Sequence, residues 1–270
     1  MLAILCTLAT ASRARSSLAA ARARSLLLAL RGGRADAALF DFDGTLVQSE
    51  DTHRKTFGQL LGFELTVEYW NQKCVGTSPK QILLKHLPPE RLASGEETIE
   101  QLLVRRSLLF EEHIDAGLLL ATKGAQQLVA ELRERGVRCA IVSSGSRSYI
   151  EKALAALELA PYFELIVAGD DTAIVDGSHK PHPFPYLHAA AQMGVDPAAC
   201  IAFEDSIAGI QSAQAAGMRV VAIRSAVSDG VVPDARDAAS VAALAAGGVP
   251  VSPVAALVDD FDQVPRGIFS

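Results

Sequence analysis

Short apolar runs alternate with stretches of helical periodicity along most of the chain. In the short runs nearly every position is apolar, which is typical of strands buried on both faces of a parallel sheet. In the longer stretches apolar residues recur every three or four positions, which predicts covering helices. The predicted strands are 37–40, 138–143, 165–168, 201–203, 219–223 and an edge strand at 254–258, and the predicted helices between them are 125–135, 148–157, 184–193 and 207–216. The pattern therefore predicts an α/β fold with a Rossmann-like, doubly wound parallel sheet.

Residues 50–118 break this alternation, because helical stretches follow one another there without a strand between them. The helix candidates in this part are 50–61, 79–87 and 98–114, of which the last is the most amphipathic. We therefore expect an all-helical cap domain, residues 51–120, inserted into an α/β core domain made of residues 36–50 and 121–270.

Residues 1–35 have a composition of their own, with six arginines, many alanines and serines, and no acidic residue. This composition is typical of a transit peptide. The apolar run 2–9 is also compatible with a secretory signal, although no charge precedes it, and a two-part signal would explain both features. We expect an N-terminal targeting segment for organelle import, to a plastid rather than a mitochondrion. The alternative is a poorly ordered extension on a cytoplasmic protein.

Charge and cysteine content exclude several classes of function. Residues 36–270 carry 19 basic and 31 acidic side chains, a net charge of −12, which does not suit nucleic acid or an anionic membrane. The four cysteines form no CxxC pair, which argues against a zinc site or a disulfide framework. The sequence carries no signal of oligomeric state, and we expect a monomer or weak dimer.

Asp41 and Asp43 are the first candidate functional residues, because they follow the predicted strand 37–40 and flank the turn at Gly44. Two like charges beside a buried strand are costly unless a cation compensates them. Mg²⁺ suits this role, since it binds carboxylate oxygens and keeps positions for water and phosphate. One carboxylate would then attack phosphorus while the other transfers a proton. The alternative interpretation is a strand that runs into an Asp-Gly turn.

Three further polar groups follow the predicted strands in a fixed order. They are Ser143-Ser144-Gly145, then Lys180 in a Lys-Pro-His-Pro segment, then the acidic pair Glu204-Asp205. Together with Asp41-Phe42-Asp43-Gly44-Thr45, these groups resemble the four motifs of the haloacid dehalogenase-like superfamily. The resemblance is to its phosphatase and phosphomutase branch, which has a helical cap, and it covers residues 36–225.

The resemblance implies a role for each motif residue. Asp41 is the expected nucleophile, and Asp43 is the expected general acid and base, which a dehalogenase would not need. Ser143 or Ser144, with Ser143 preferred, is expected to hold a phosphoryl oxygen. Lys180 is expected to neutralise charge on the nucleophile and the phosphoryl group.

The resemblance also implies a magnesium site. Its expected ligands are the side chains of Asp41 and Asp205. Glu204 is expected either to bind the metal directly or to contact a group that does. Asp43 is expected to contribute only its backbone carbonyl, because its side chain must stay free for proton transfer. The alternative for the acidic pair is a role at a helix N-terminus.

Substrate residues are expected in the helical region. His53 occupies the position of a histidine at the cap hinge, and Gly76 and Lys80 lie in a segment that resembles the cap's substrate loop. Arg106 or Arg105 could reach a substrate phosphate, although a solvated helix face is the favoured interpretation for both.

These residues predict a phosphoric monoester hydrolase. It would act on a small phosphorylated metabolite, a sugar or polyol phosphate, through an aspartyl-phosphate, and it looks closer to bacterial fructose-1-phosphate phosphatases than to mutases. The alternative is a β-phosphoglucomutase-like phosphomutase, but mutases carry an arginine where this chain has Pro79-Lys80. A regulatory module that keeps a phosphate pocket is disfavoured, because the full set of catalytic groups is retained.

Overall fold

The computed structural model describes residues 35–74, 77–88, 90–91, 97–175, 177–223 and 254–270. The predicted targeting segment therefore lies outside the described residues, apart from Ala35. Within the described ranges, no helix combines the length and the hydrophobicity that crossing a membrane requires.

Eight strands and eight helices make up the described chain. The strands are β1 (Ala37–Phe40), β2 (Val47–Gln48), β3 (Leu120–Ala121), β4 (Arg138–Val142), β5 (Leu165–Val167), β6 (Cys200–Glu204), β7 (Arg219–Ile223) and β8 (Ala256–Val258). The helices are α1 (Glu50–Leu61), α2 (Val67–Lys73), α3 (Pro79–His86), α4 (Ile99–Asp115), α5 (Ala125–Glu134), α6 (Arg147–Ala156), α7 (Phe184–Met193) and α8 (Ile207–Ala215).

Six of the strands form one parallel sheet in the order β5-β4-β1-β6-β7-β8. Strand β1 lies at its centre, with Phe40 opposite Ile141 of β4 and Phe203 of β6. Residues that follow Phe40 and Phe203 are therefore neighbours at one edge of the sheet. Ligands bind at this carboxyl edge in open α/β sheets, because strand order reverses there and leaves a crevice.

Side chains of β1 alternate between two hydrophobic layers. Ala38 and Phe40 pack with helices α5 and α6 and with the C-terminal residues, whereas Ala37 and Leu39 pack with helices α7 and α8. A sheet with helices on both faces is the doubly wound architecture, so the predicted fold is confirmed. Each predicted strand of the sheet is present to within two residues of its expected bounds.

Helices α1 to α4, which we call the helical insert, follow one another between β2 and β3. They enclose a separate hydrophobic cluster around Phe57, Trp70 and Leu102. Side-chain oxygens cap three of the four helices, and Thr98 forms a full capping box with Gln101 at the start of α4. These caps satisfy backbone N–H groups that have no partner within the helix. The division into core and cap domains stays a prediction.

The two connections of the helical insert pair with each other, which the sequence did not predict. Val47 lies opposite Ala121 and Gln48 opposite Leu120 in a short antiparallel ladder. The N–H of Thr122 also donates to the carbonyl oxygen of Leu46. The chain therefore leaves the sheet and returns to it at adjacent points, close to Asp43.

Candidate active site

Three carboxylates meet at the carboxyl edge of the sheet. Side-chain oxygens of Asp41, Glu204 and Asp205 lie within 4.8 Å of one another. The sheet register explains this cluster, since Asp41 directly follows β1 and its N–H donates to the carbonyl of Phe203 at 2.9 Å. The structure therefore brings together acids from distant parts of the chain, positions 41, 204 and 205, as the sequence predicts.

Lys180 lies inside this cluster. Its Nζ donates to Asp41 Oδ1 at 2.7 Å, to Glu204 Oε1 at 2.6 Å and to the carbonyl oxygen of Val142 at 2.8 Å. The side chain is only 7% exposed. Burial by itself lowers the pKa of Lys180, but the charges of Asp41 and Glu204 outweigh it and raise the pKa, so the ammonium form is retained.

Glu204 is the most deeply buried member of the cluster. Besides Lys180, it accepts hydrogen bonds from the Tyr186 hydroxyl at 2.7 Å and from Ser206 Oγ at 3.2 Å. Gly209 makes room for it, because a Cβ at that position would lie 1.9 Å from the Glu204 carboxyl carbon. Burial raises the pKa of Glu204, and the neighbouring Asp41 carboxylate raises it further.

Asp205 faces the turn that carries Asp43. Thr45 Oγ1 donates to Asp205 Oδ1 at 3.3 Å, and a Cβ on Gly44 would lie 2.1 Å from Asp205 Oδ2. Gly44 also has a φ of +78°, so this turn requires glycine both for its conformation and for the close approach. Burial, then Asp41 and Glu204, raise the pKa of Asp205.

The donor set fits a magnesium ion. Among the described residues at this edge, three clustered carboxylates face a single ammonium group, so negative charge is in excess. Burial and then repulsion from the other carboxylates raise the pKa of Asp205, and a bound divalent cation would offset both effects. Carboxylate oxygens are the ligands that Mg²⁺ prefers.

Asp43 is not part of the cluster of three carboxylates. Its Oδ1 accepts a hydrogen bond of 2.6 Å from the Tyr149 hydroxyl, at the start of α6. Burial raises the pKa of Asp43 above its ordinary value, although the neighbouring hydroxyl groups of Ser49 and Tyr149 oppose that rise. The two aspartates of the first motif therefore lie in different surroundings, Asp41 beside an ammonium group and Asp43 beside a phenol.

The two candidate phosphate-binding serines also differ. Ser143 is buried one residue beyond Val142, whose carbonyl binds Lys180, and its Oγ accepts from the N–H of Gly145 at 3.0 Å. Ser144 is exposed and lines a cavity. Both serines are thus at the sheet edge, and the preference for Ser143 stays a prediction.

A cavity of about 560 Å³ separates the sheet edge from the helical insert. Asp43, Tyr149 and Ser144 line it on the sheet side, and His53 and Arg106 line it on the insert side. Its volume lies within the usual range for small-molecule binding sites.

Arg106 and His53 form one unit in the cavity wall. Arg106 Nη2 contacts His53 Nδ1 at 2.5 Å, and the guanidinium lies 4.8 Å from the centre of the Phe110 ring. Arg106 Nε is buried and has no hydrogen-bond partner among the described residues. Burial, and then the Arg106 cation, lower the pKa of His53 far below its ordinary value, so the imidazole is neutral. The expectation of a solvated helix face is therefore wrong for Arg106.

The structure does not bring the other insert candidates into the cavity. The Lys80 side chain is 59% exposed, and its Nζ lies 3.8 Å from Glu100 Oε1. Its neighbour Pro79 lines the cavity, whereas Lys80 does not. Arg105 is exposed and pairs with Glu97 at 3.0 Å. Gly76 lies outside the described residues.

Several residues of the site carry no local sequence signal. Glu50 lines the cavity and accepts a hydrogen bond of 2.7 Å from Trp70 Nε1, and Tyr186 binds Glu204 from α7. Helical periodicity places Tyr186 and Trp70 on inner faces of their helices, but it does not predict where their polar atoms point.

Comparisons with known proteins identify the family of the chain. The sequence model of the family described as "Haloacid dehalogenase-like hydrolase" matches residues 38–223. Protein CbbY of Rhodobacter capsulatus is 35% identical over 68% of this chain and 83% of its own length. Fructose-1-phosphate phosphatase YqaB of Escherichia coli is 36% identical over 69% of this chain and 95% of its own length.

The fold has a counterpart among solved structures. The crystal structure of CbbY from Rhodobacter sphaeroides in complex with phosphate superposes with a TM-score of 0.65. It is 22% identical in sequence, and the match covers 87% of this chain and 99% of that one. The predicted enzyme class, a phosphoric monoester hydrolase, is confirmed by these relatives. The chain belongs to the haloacid dehalogenase-like hydrolase family.

Proposed function

We propose that the protein is a Mg²⁺-dependent phosphatase that hydrolyses a small sugar or polyol phosphate through an aspartyl-phosphate intermediate. The observation that carries this proposal is the separation of the two motif aspartates. Asp41 lies in the carboxylate cluster with Lys180, and Asp43 lies in the wall of the cavity. A nucleophile and a proton donor need such different surroundings.

The carboxylate cluster suits phosphoryl transfer to Asp41. Lys180 binds Asp41 Oδ1 and would hold the carboxylate in place while its other oxygen attacks phosphorus. Asp41, Asp205 and Glu204 would hold Mg²⁺, which supplies positive charge for the phosphoryl oxygens when bound. Ser143 or Ser144 would position one of those oxygens.

The cavity suits the alcohol part of the substrate. Asp43 reaches it from the sheet side and would protonate the leaving oxygen, then activate water. On the insert side, the cavity is lined by the cation of Arg106 and by Glu50 and Glu111, whose carboxylates would accept hydrogen bonds from hydroxyl groups. A polar wall with one cation and two carboxylates fits a polyhydroxy compound, and the likeness to a fructose-1-phosphate phosphatase supports the same class.

The test is a panel of sugar and polyol phosphates assayed for release of free phosphate. We expect turnover of fructose 1-phosphate or a related compound, and loss of that turnover in Asp41→Asn. Asp36→Asn is the matched control, because Asp36 is exposed at the opposite end of β1. Full activity of Asp41→Asn would refute the mechanism. Conversion of β-glucose 1-phosphate to glucose 6-phosphate without free phosphate would show a mutase instead.

Metal dependence is tested without turnover. Addition of Mg²⁺ at about 100 times its Kd should stabilise the wild-type protein by about 2.7 kcal/mol, because the ion binds only the folded state. The melting temperature of Asp205→Asn should respond much less. An equal rise in both proteins would remove Asp205 from the proposed site.

A further inference from the structure

We propose that Tyr149 is a positioning residue for the proton transfer by Asp43, a role that rests on the phosphatase function proposed above. The Tyr149 hydroxyl donates to Asp43 Oδ1 at 2.6 Å. Both side chains line the cavity between the sheet edge and the helical insert. Tyr149 lies outside the family motifs, so the motifs do not identify it.

The phenol ring is held from two sides. It packs edge-on against Phe42, with ring centres 5.5 Å apart, and edge-on against Phe110, with ring centres 5.2 Å apart. Phe42 separates the two motif aspartates, and Phe110 belongs to α4 of the helical insert. Rings packed in this way have little freedom, so the hydroxyl is fixed toward Asp43 before substrate binds.

This contact gives the two carboxylate oxygens of Asp43 different roles. Oδ1 is engaged by the Tyr149 hydroxyl, which leaves Oδ2 as the oxygen that carries the proton to the substrate. In the transfer step a bond forms between Asp41 and phosphorus, and the bond between phosphorus and the leaving oxygen breaks. That oxygen takes the proton from Asp43 Oδ2, so the alcohol leaves neutral. Fixing one oxygen sets the direction of the other.

Tyr149 also joins Asp43 to the part of the cavity wall that faces the substrate. Phe110 stacks on His53 with ring centres 4.3 Å apart, and the Arg106 guanidinium lies 4.8 Å from the centre of the same Phe110 ring. Phe110 therefore packs both against Tyr149, which binds the proton donor Asp43, and against the Arg106–His53 pair. A helical insert that closes on its substrate would set Phe110, Tyr149 and Asp43 in one arrangement.

The experiment compares Tyr149→Phe with wild type on a series of substituted phenyl phosphates and on fructose 1-phosphate. Values of kcat/KM report every step up to departure of the leaving group. A weakly basic leaving group such as p-nitrophenolate needs no proton, whereas unsubstituted phenol and sugar alcohols do. We expect a loss of about 10-fold to 100-fold for the basic leaving groups, the range for one hydrogen bond to a charged group. The loss for p-nitrophenyl phosphate should stay within about threefold.

Two reference variants make the outcome interpretable. Asp43→Asn should show the same selectivity more strongly, and Tyr162→Phe, in the same hydrophobic layer, should leave kcat/KM unchanged across the series. An equal loss on all substrates in Tyr149→Phe, or no loss, would overturn the positioning role. If Tyr149→Phe does not fold, Phe110→Leu replaces it and is expected to show a smaller loss of kcat/KM with the same dependence on the leaving group. Absence of that dependence in Phe110→Leu would also overturn the positioning role.

Failure of the underlying function looks different. If Asp43→Asn itself showed no dependence on the leaving group, the proposed acid role of Asp43 would fall. If Asp43→Asn showed that dependence and Tyr149→Phe did not, only the role of Tyr149 would fall.

Discussion

The carboxylate cluster and the cavity wall are built in opposite ways. Asp41 and Glu204 belong to the ends of adjacent strands, so the register of a buried parallel sheet fixes their separation. Arg106 and His53 come from two helices of the insert, and their contact depends on how those helices pack. The comparison teaches that the carboxylate cluster is anchored to the sheet, whereas the proposed recognition of substrate depends on helix packing, and Phe110 of α4 connects the two regions through its contact with Tyr149.

The largest expected effect concerns Lys180, which holds the cluster together. Lys180→Met leaves Asp41 and Glu204 buried without their cation, and breaking a buried pair in this way costs about 3–5 kcal/mol. We expect a loss of that size in the free energy of unfolding, measured by chemical denaturation, together with loss of phosphatase activity. Lys123→Met is the control, because Lys123 is 72% exposed and pairs with acids at the surface. Similar losses in both variants would contradict the rigid cluster.

Gly44 gives the next largest effect. Gly44→Ala places a methyl group 2.1 Å from Asp205 Oδ2 and should lower kcat/KM by about 100-fold, since misplacement by 1 Å costs on that order. Gly62→Ala is closely matched, because Gly62 has a φ of +84° and no described atom within 4 Å of its added Cβ. Both should lose about 1–2 kcal/mol of stability from the left-handed backbone. Only Gly44→Ala should lose activity, and full activity in it would refute the close approach.

Arg106 tests the cavity wall. Arg106→Met should raise KM for sugar phosphates about 10-fold or more, which corresponds to one lost hydrogen bond from a charged group, and should leave kcat nearly unchanged. Arg105→Met is the neighbouring control, since Arg105 is exposed and pairs with Glu97. A fall in kcat with constant KM would place Arg106 in the chemical step rather than in recognition.

The smallest expected effect concerns the pH dependence of stability that the buried His53 side chain contributes. Its pKa is lowered in the folded protein, so below the unfolded value of about 6.5 the unfolded chain binds a proton that the folded chain refuses. Stability should therefore fall as pH drops below that value, by up to about 1.4 kcal/mol per pH unit from this group. His53→Gln should reduce the loss measured by denaturation between pH 7 and pH 5.5. Between pH 7.5 and pH 8.5 the two proteins should show the same dependence, and an unchanged acid response would contradict a buried neutral imidazole.

The contrast between the two regions also explains what the sequence could predict. Strand ends in a parallel sheet meet at one edge, so the positions of Asp41, Asp205 and Lys180 followed from apolar runs and motif order. Two-residue strands carry no pattern, which is why the pairing of β2 with β3 was not predicted. Arg105 and Arg106 are adjacent on one helix, and only the packing of α4 decides which of them is buried.

The paired connections of the helical insert have a practical consequence. Because Val47 lies opposite Ala121, the two points where the insert joins the sheet are separated by one strand spacing, about 5 Å. A replacement segment of different length must meet this spacing at its ends and must restore the packing of Phe110 and Ile114 against the hydrophobic layer of the sheet. A transplant of helices α1 to α4 from a relative would therefore have to keep this spacing and also supply an aromatic ring that packs on Tyr149 as Phe110 does.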